Sequence, residues 1–206
     1  MNSEISTKPI KIIMPTAMFL VPRNHFSPRN KNDADEHKLD DFGAIFFMPS
    51  MEGYTEATAK YFKNYYAIRD QVIEVIHVRN PDRVGPRGEP LRPSAWGDVD
   101  SIFALRPHYY VPIQTINGLE CHGIKGRENV SGFKIECIGI RSNGEKLFMR
   151  AATPPEEPTD PFQCVVQYWS EEAQLYIRYR FSRNQIERWR EIDDAVWVKL
   201  KAWRIK

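Results

Sequence analysis

Three cysteines, five histidines and the adjacent carboxylates Asp193 and Asp194 are the side chains here with the means for chemistry, and their spacing decides which chemistry. Cys121, Cys137 and Cys164 form no Cys-x-x-Cys, and the only histidine near them is His122, so a zinc site lacks both ligands and spacing. Cys121 and Cys137 fall on segments suited to be neighbouring strands, with Gly126 and Gly132 in the turn between them. A disulfide closing that loop of roughly 17 residues would stabilise by about 3 kcal/mol in the chain-entropy picture. It would also belong to an oxidising compartment such as a bacterial periplasm. Three buried thiols acting as small hydrophobes account for the same residues equally well. Cys164 is left over, as a core residue of its own strand.

The histidines His25, His37, His77, His108 and His122 are scattered and accompany no nucleophile motif. There is no Gly-x-Ser-x-Gly, no phosphate-binding glycine loop and no His-Glu-x-x-His. Asp193 and Asp194 are adjacent, and adjacent residues on a helix point apart, so the pair reads as a solvated helix face rather than as acid and base. No cofactor is implied. The chain therefore reads as a binding protein and not an enzyme, although catalytic groups assembled from distant positions leave no local trace.

Two connections are candidates for binding. Residues 24–41 carry an acidic run that ends in Asp40 and Asp41. Residues 80–97 carry Arg83, Arg87 and Arg92 with Trp96 at their end, and arginine and tryptophan are enriched at interface hot spots. Both connections are long and polar for simple links in a compact domain, which makes partner contact the expectation. A solvated loop whose Trp96 tucks into the core is the plainer alternative. The 15 prolines cluster in such connections, at residues 81–93 and 154–161.

The 206 residues suffice for one substantial core, and 42% hydrophobic with 12% aromatic content is that of a folded globular chain. Net charge is +2 from 29 basic and 27 acidic side chains, which leaves no electrostatic footprint for nucleic acid or an anionic membrane. No apolar run reaches the length of about 18 residues of a spanning helix. Lys8 and Lys11 before an apolar stretch mimic a signal peptide. Pro15 interrupts that stretch and Arg23 follows it, so a first strand is expected, with a leader trimmed ahead of Met1 as the alternative.

The elements that must position these groups are read from periodicity. Residues 185–205 predict one amphipathic helix, with Trp189, Ile192, Val196, Leu200 and Trp203 on its apolar face and Trp197 widening it. Just before it, Leu175, Ile177, Tyr179 and Phe181 alternate with polar residues, as in a strand with one buried face. Further strands are expected over 10–21 (one or two), 42–48, 72–78, 118–125, 132–141, 146–152 and 163–169. Thr55 should cap a helix through about Tyr66, and a short helix is expected over 98–105. Residues 23–41 read as an exposed loop. The fold class that follows is α+β, a mostly antiparallel, meander-like sheet with the C-terminal helix packed on it, as a single domain over 1–206. Residues 1–8 are expected to be disordered or added for expression.

Several segments in order along the chain resemble the periplasmic immunity proteins of type VI secretion loci, often lipoproteins, found beside toxic effectors and commonly beside phospholipases. They are Val21-Pro22-Arg23-Asn24-His25-Phe26, Phe46-Phe47-Met48-Pro49 with Gly53-Tyr54-Thr55, and Gly118-Leu119-Glu120-Cys121 with Cys137. Thr153-Pro154-Pro155 and Arg188-Trp189-Arg190-Glu191-Ile192-Asp193, with Trp197 and Trp203, complete the set. The resemblance implies a protein that neutralises one secreted antibacterial toxin by tight stoichiometric binding, and it favours a Cys121–Cys137 bond. This chain departs from that pattern in showing neither a convincing secretion signal nor a lipid-attachment cysteine near its start, which leaves a cytoplasmic location as the alternative. A non-enzymatic envelope protein that binds a ligand or has a structural role is the second reading.

Overall fold

The computed structural model describes residues 5–26, 34–62, 64–79, 83–84, 90–91, 110–126, 133–152 and 162–205. Its strands are β1 (Pro9–Ile13), β2 (Met18–Pro22), β3 (Glu36–Lys38), β4 (Asp41–Phe47), β5 (Val72–Arg79), β6 (Arg83–Val84), β7 (Pro90–Leu91) and β8 (Tyr110–Ile116). They continue with β9 (Leu119–Ile124), β10 (Phe133–Ile140), β11 (Lys146–Ala152), β12 (Cys164–Ser170), β13 (Leu175–Phe181) and β14 (Arg204–Ile205). Two α-helices, α1 (Glu56–Ala59) and α2 (Trp189–Trp203), accompany them. An eight-stranded sheet runs in the order β4-β5-β13-β12-β11-β10-β9-β8, and a four-stranded sheet in the order β14-β2-β1-β3. Every pairing in the large sheet is antiparallel, and β8 to β13 are a meander, as the adjacent sequence strands require.

Alternation along each strand gives the large sheet two unlike faces. One carries Cys137, Met149, Val166, Tyr168, Ile177, Tyr179, Val75 and Phe46, all buried in the main core with α2 and the inner side chains of β1 and β2. The helix crosses this face obliquely. Trp189 at its start lies against Gly139 of β10, and Trp203 at its end stacks on Phe46 of β4 at 5.3 Å between ring centres. Five strand spacings separate β10 from β4, about 24 Å, and a helix of 15 residues advances about 21 Å. The tail is long enough to cross the layer once and no longer. A 3-10 turn, Arg183–Arg188, leads into it, with the Ser182 hydroxyl accepting from the Asn184 N–H.

Two expectations need correction. The helix expected over 55–66 starts as read, with Thr55 and Thr58 forming a reciprocal cap, but α1 ends at Ala59 and a separate 3-10 turn forms at Tyr66–Gln71. Tyr61, Phe62, Asn64 and Tyr65 are weak helix formers, and α1 fully buries no residue that could hold it together from outside. Phe62 and Tyr65 instead pack on a second, smaller core with Ile45, Phe47, Tyr54, Val72 and Phe162. Residues 23–41 are not one exposed loop. Arg23–His25 forms a 3-10 turn with His25 buried, and β3 pairs in parallel with β1. Strands β3, β8 and β14 add to those expected, with β8 at the edge of the large sheet. The expected helix over 98–105 lies outside the described residues.

Cys121 and Cys137 are direct cross-strand partners on β9 and β10, with Cα atoms 4.1 Å apart, and they are disulfide-bonded. Cys164 is free and buried. Counting thiols in denatured, unreduced protein should therefore find one reactive group, and three would remove the bond. Burial pushes the Cys164 thiol up to about 12, so in the native protein it should react only as fast as the chain opens.

Candidate functional site

His25 shows how the first of the quoted segments is used. Its Nδ1 donates to the Ile45 carbonyl oxygen at 2.8 Å, and its ring stands edge-on to Phe46 and Trp203 at 5.1 and 4.6 Å. Beside it, the Asn24 side-chain amide donates to the Tyr54 carbonyl, and the Tyr54 N–H donates to the Asn24 carbonyl. A Cβ at position 53 would come within 2.4 Å of that Asn24 oxygen, so only glycine allows the approach. Segments 21–26, 46–49 and 53–55 thus meet as one packed knot on Trp203, and their role there is structural.

Burial lowers the His25 pKa from 6.5 to about 4. The unfolded chain takes up this proton from about pH 6.5 downward, while the folded chain resists it until about pH 4. Stability carried by neutral His25 is therefore full above pH 6.5 and falls between those values, by up to about 3 kcal/mol. Urea unfolding between pH 7 and pH 4 should show this slope, and His25→Asn should flatten it. An unchanged slope in the variant would assign the acid sensitivity elsewhere.

Beneath the start of α2 lies a buried ionic cluster. Arg141, 4% exposed, donates from Nε to Asp193 Oδ2 at 2.7 Å and from Nη1 to Glu145 Oε2 at 2.5 Å. Its guanidinium lies 3.9 Å above the Tyr168 ring. The Tyr179 hydroxyl donates to Asp193 Oδ1 at 2.9 Å, and burial holds that phenol well above its ordinary pKa, so it keeps its proton. Asp193 is 0% exposed, which corrects the reading of residues 193–194 as a solvated face. Only Asp194 reaches the surface, where it accepts from the Ser142 hydroxyl at 2.7 Å. Arg141, Asp193, Glu145 and Tyr179 are all partnered, the Tyr168 hydroxyl beside them is buried without a hydrogen bond, and the cluster fastens α2 to the β10–β11 turn.

The second face of the large sheet carries a belt of charged pairs set among buried Phe148, Val165 and Tyr176, and the exposed parts of that belt are the candidate recognition surface. Asp41 and His77 pair at 2.8 Å on β4 and β5, Glu74 pairs with Arg180, and Glu136 pairs with Arg150 at 3.0 Å. His122 pairs with Glu120 at 3.2 Å on β9. At the centre, Gln167 and Arg178 are cross-strand partners. Gln167 Nε2 and Arg178 Nε are buried without an acceptor. The exposed side chains of the belt, Asp41, Arg150 and Glu120, offer charge of both signs, while Gln167 and Glu136 are buried, and no cluster among the described residues is of metal-binding type.

The sequence-predicted contact residues fall as follows. Asp40 is exposed just before β4, and Asp41 opens that strand within the belt. Arg83 belongs to β6, which pairs with β7 across Arg83↔Leu91 and Val84↔Pro90. Arg87, Arg92 and Trp96 lie outside the described residues, so the arginine connection and the acidic strand end are not brought together by any described contact. Sequence reasoning missed the paired belt. Its only signal was the polar set Arg178, Arg180 and Gln167 at alternate positions of two strands.

No protein-family model matches the chain, and no curated protein matches its sequence significantly. Two solved structures share its fold. One is Smlt3025, an immunity protein of the Stenotrophomonas maltophilia type IV secretion system, at 15% identity and a TM-score of 0.58, covering 98% of this chain and 95% of that one. The other is the Neisseria meningitidis iron-regulated outer membrane lipoprotein FrpD, at 9% identity and a TM-score of 0.51, covering 90% and 86%.

Proposed function

We propose that this chain is an immunity protein that binds a cognate antibacterial toxin one-to-one and neutralises it without chemistry of its own. The observation that carries the reading is the likeness of fold to an immunity protein over nearly the whole of both chains. The sequence resemblance supports the same kind of protein. In its finer form the toxin is a type VI secretion effector, with phospholipases favoured by that resemblance, and the protein works in the periplasm. The Cys121–Cys137 bond is compatible with that oxidising compartment. The contacts are assigned to Asp40 and Asp41 at the edge of the polar belt, and to the connection bearing Arg83, Arg87, Arg92 and Trp96.

The test is protection. The product of the reading frame beside this gene is expressed in the bacterial periplasm with and without this chain. Survival together with a one-to-one complex on size exclusion is the expected result. Killing that continues with this chain present, and no complex, would reject the reading in favour of an envelope ligand-binding or structural protein. If encounter is electrostatically steered, association should slow steeply with salt while dissociation changes little. Reversing Asp40 and Asp41 to Lys, or Arg87 and Arg92 to Glu, should then slow association without lowering the melting temperature. Protection unaltered by either reversal would move the contact elsewhere.

A further inference from the structure

The large sheet ends in two outer strands, and its own chain closes one of them. On β4 the Ile45 carbonyl accepts from His25, and Phe47 is bridged to Glu52. On β8, seven residues long, no described strand pairs on the side away from β9. Val111, Pro112, Ile113 and Thr115 are exposed there, Val111 by 44% and Ile113 by 51%. The outer strands of the small sheet, β3 and β14, have only three and two residues. An open strand as long as β8, with bare aliphatic side chains, is a template for pairing with another chain.

The register shows which backbone groups β8 offers. Cys121 and Cys137 are 4.1 Å apart at Cα, the close spacing of an antiparallel pair that exchanges no hydrogen bonds. The Cys121 amide and carbonyl therefore face β8, where they meet Gln114. Backbone groups alternate sides along a strand, so those of His122 face β10, and its β8 partner Pro112 turns outward. The turn at Asn117 and Gly118, with φ of 44° and 81°, sets the same phase, because a two-residue turn closes on a bonded pair, here Ile116 with Leu119. The outward set is thus Tyr110, Pro112 and Thr115. Pro112 has no N–H to give. The register slips at Ile113, so the outward groups are spaced by two residues and then by three. A regular strand bonds at every second residue and cannot follow that spacing.

We propose that Pro112 and the Ile113 bulge guard this edge against β8 of a second copy of the chain. Two-fold pairing would repeat each defect in both copies. The guard goes beyond the toxin-binding reading and does not depend on it.

The experiment combines residue-resolved amide exchange of the full chain with sedimentation equilibrium of variants. In dilute wild-type protein the Tyr110 and Thr115 amides should exchange roughly tenfold or more faster than those of Gln114 and Ile116, which bond to β9. Pro112→Thr restores the missing N–H, and deleting Ile113 as well restores even spacing while Val111, Gln114 and Ile116 stay on β9. The combined variant should self-associate at least about tenfold more tightly than the wild type, and Pro112→Thr alone should do so more weakly. Adding Thr115→Pro removes only an outward N–H and should return the combined variant to monomer. Three results would each overturn the proposal. They are Thr115 exchange as slow as that of Gln114 in the dilute wild type, a folded Pro112→Thr variant that associates no more than the wild type, and association that survives Thr115→Pro. If the deletion fails to fold, Pro112→Thr with and without Thr115→Pro decides.

Discussion

Replacing Asp193 by alanine is expected to destabilise the fold by about 3–5 kcal/mol, because it leaves a buried guanidinium without its counter-charge. Arg141 is 4% exposed and cannot turn to water without dragging the β10–β11 turn off α2. Tyr179 would lose the acceptor for a hydroxyl that is itself buried. Such a loss is a large part of the roughly 5–15 kcal/mol that holds a typical domain together. Arg141→Ala should cost a similar amount by exposing the mirror-image defect, an unpaired buried carboxylate. The double variant should then cost much less than the sum, since each single change already breaks the same interaction. Urea unfolding of the three proteins measures this. Additive losses would show that the two residues contribute through packing alone. A loss below about 1 kcal/mol for Asp193→Ala would mean that water reaches the cluster, as it does in surface pairs.

That cluster also shows where sequence reasoning stopped. The tail helix was legible because Trp189, Ile192, Val196, Leu200 and Trp203 repeat at helical spacing, and the structure buries all five. Asp193 occupies the same stripe, four residues after Trp189 and three before Val196, so its position already placed it inward. Its charge argued for water, and the charge was outweighed by Arg141, 52 residues away in sequence. Spacing within one helix cannot reveal a partner supplied by a distant turn. The same limit hid the parallel pairing of β3 with β1, and the Asp41–His77 pair, 36 residues apart. The meander was easier, since its strands pair with their sequence neighbours. The disulfide lay between these cases. Two strands separated by a glycine-bearing turn made it feasible, but the one-to-one register of Cys121 on Cys137 follows only from the folded sheet. Charge and loop length single out the candidate contact residues, and the polar belt they adjoin depends on how seven strands are ordered.

Deleting residues 186–206 should abolish folding, not merely binding. Six apolar side chains of α2 are buried, namely Trp189, Ile192, Val196, Trp197, Leu200 and Trp203. At about 1.5–3 kcal/mol for each fully buried side chain, their removal forfeits roughly 9–18 kcal/mol. That equals or exceeds the whole stability of a typical domain. The loss is also not local. Trp189 covers Gly139 and Leu119 near one end of the large sheet, and its indole N–H donates to the Asn117 carbonyl at 3.0 Å in the β8–β9 turn. Trp203 covers Phe46 and His25 at the other end, so both ends of the layer would open together. Single truncations test the same argument in smaller steps: Trp189→Ala and Trp203→Ala should each cost about 3–5 kcal/mol. Trp189→Ala should fall toward the upper end because the ring is fully buried and its N–H is satisfied. Circular dichroism and thermal unfolding of the truncated chain should show no cooperative transition. A truncated protein that melts cooperatively at the temperature of the intact one would mean that the sheets are stable alone and that the helix is carried to meet a partner.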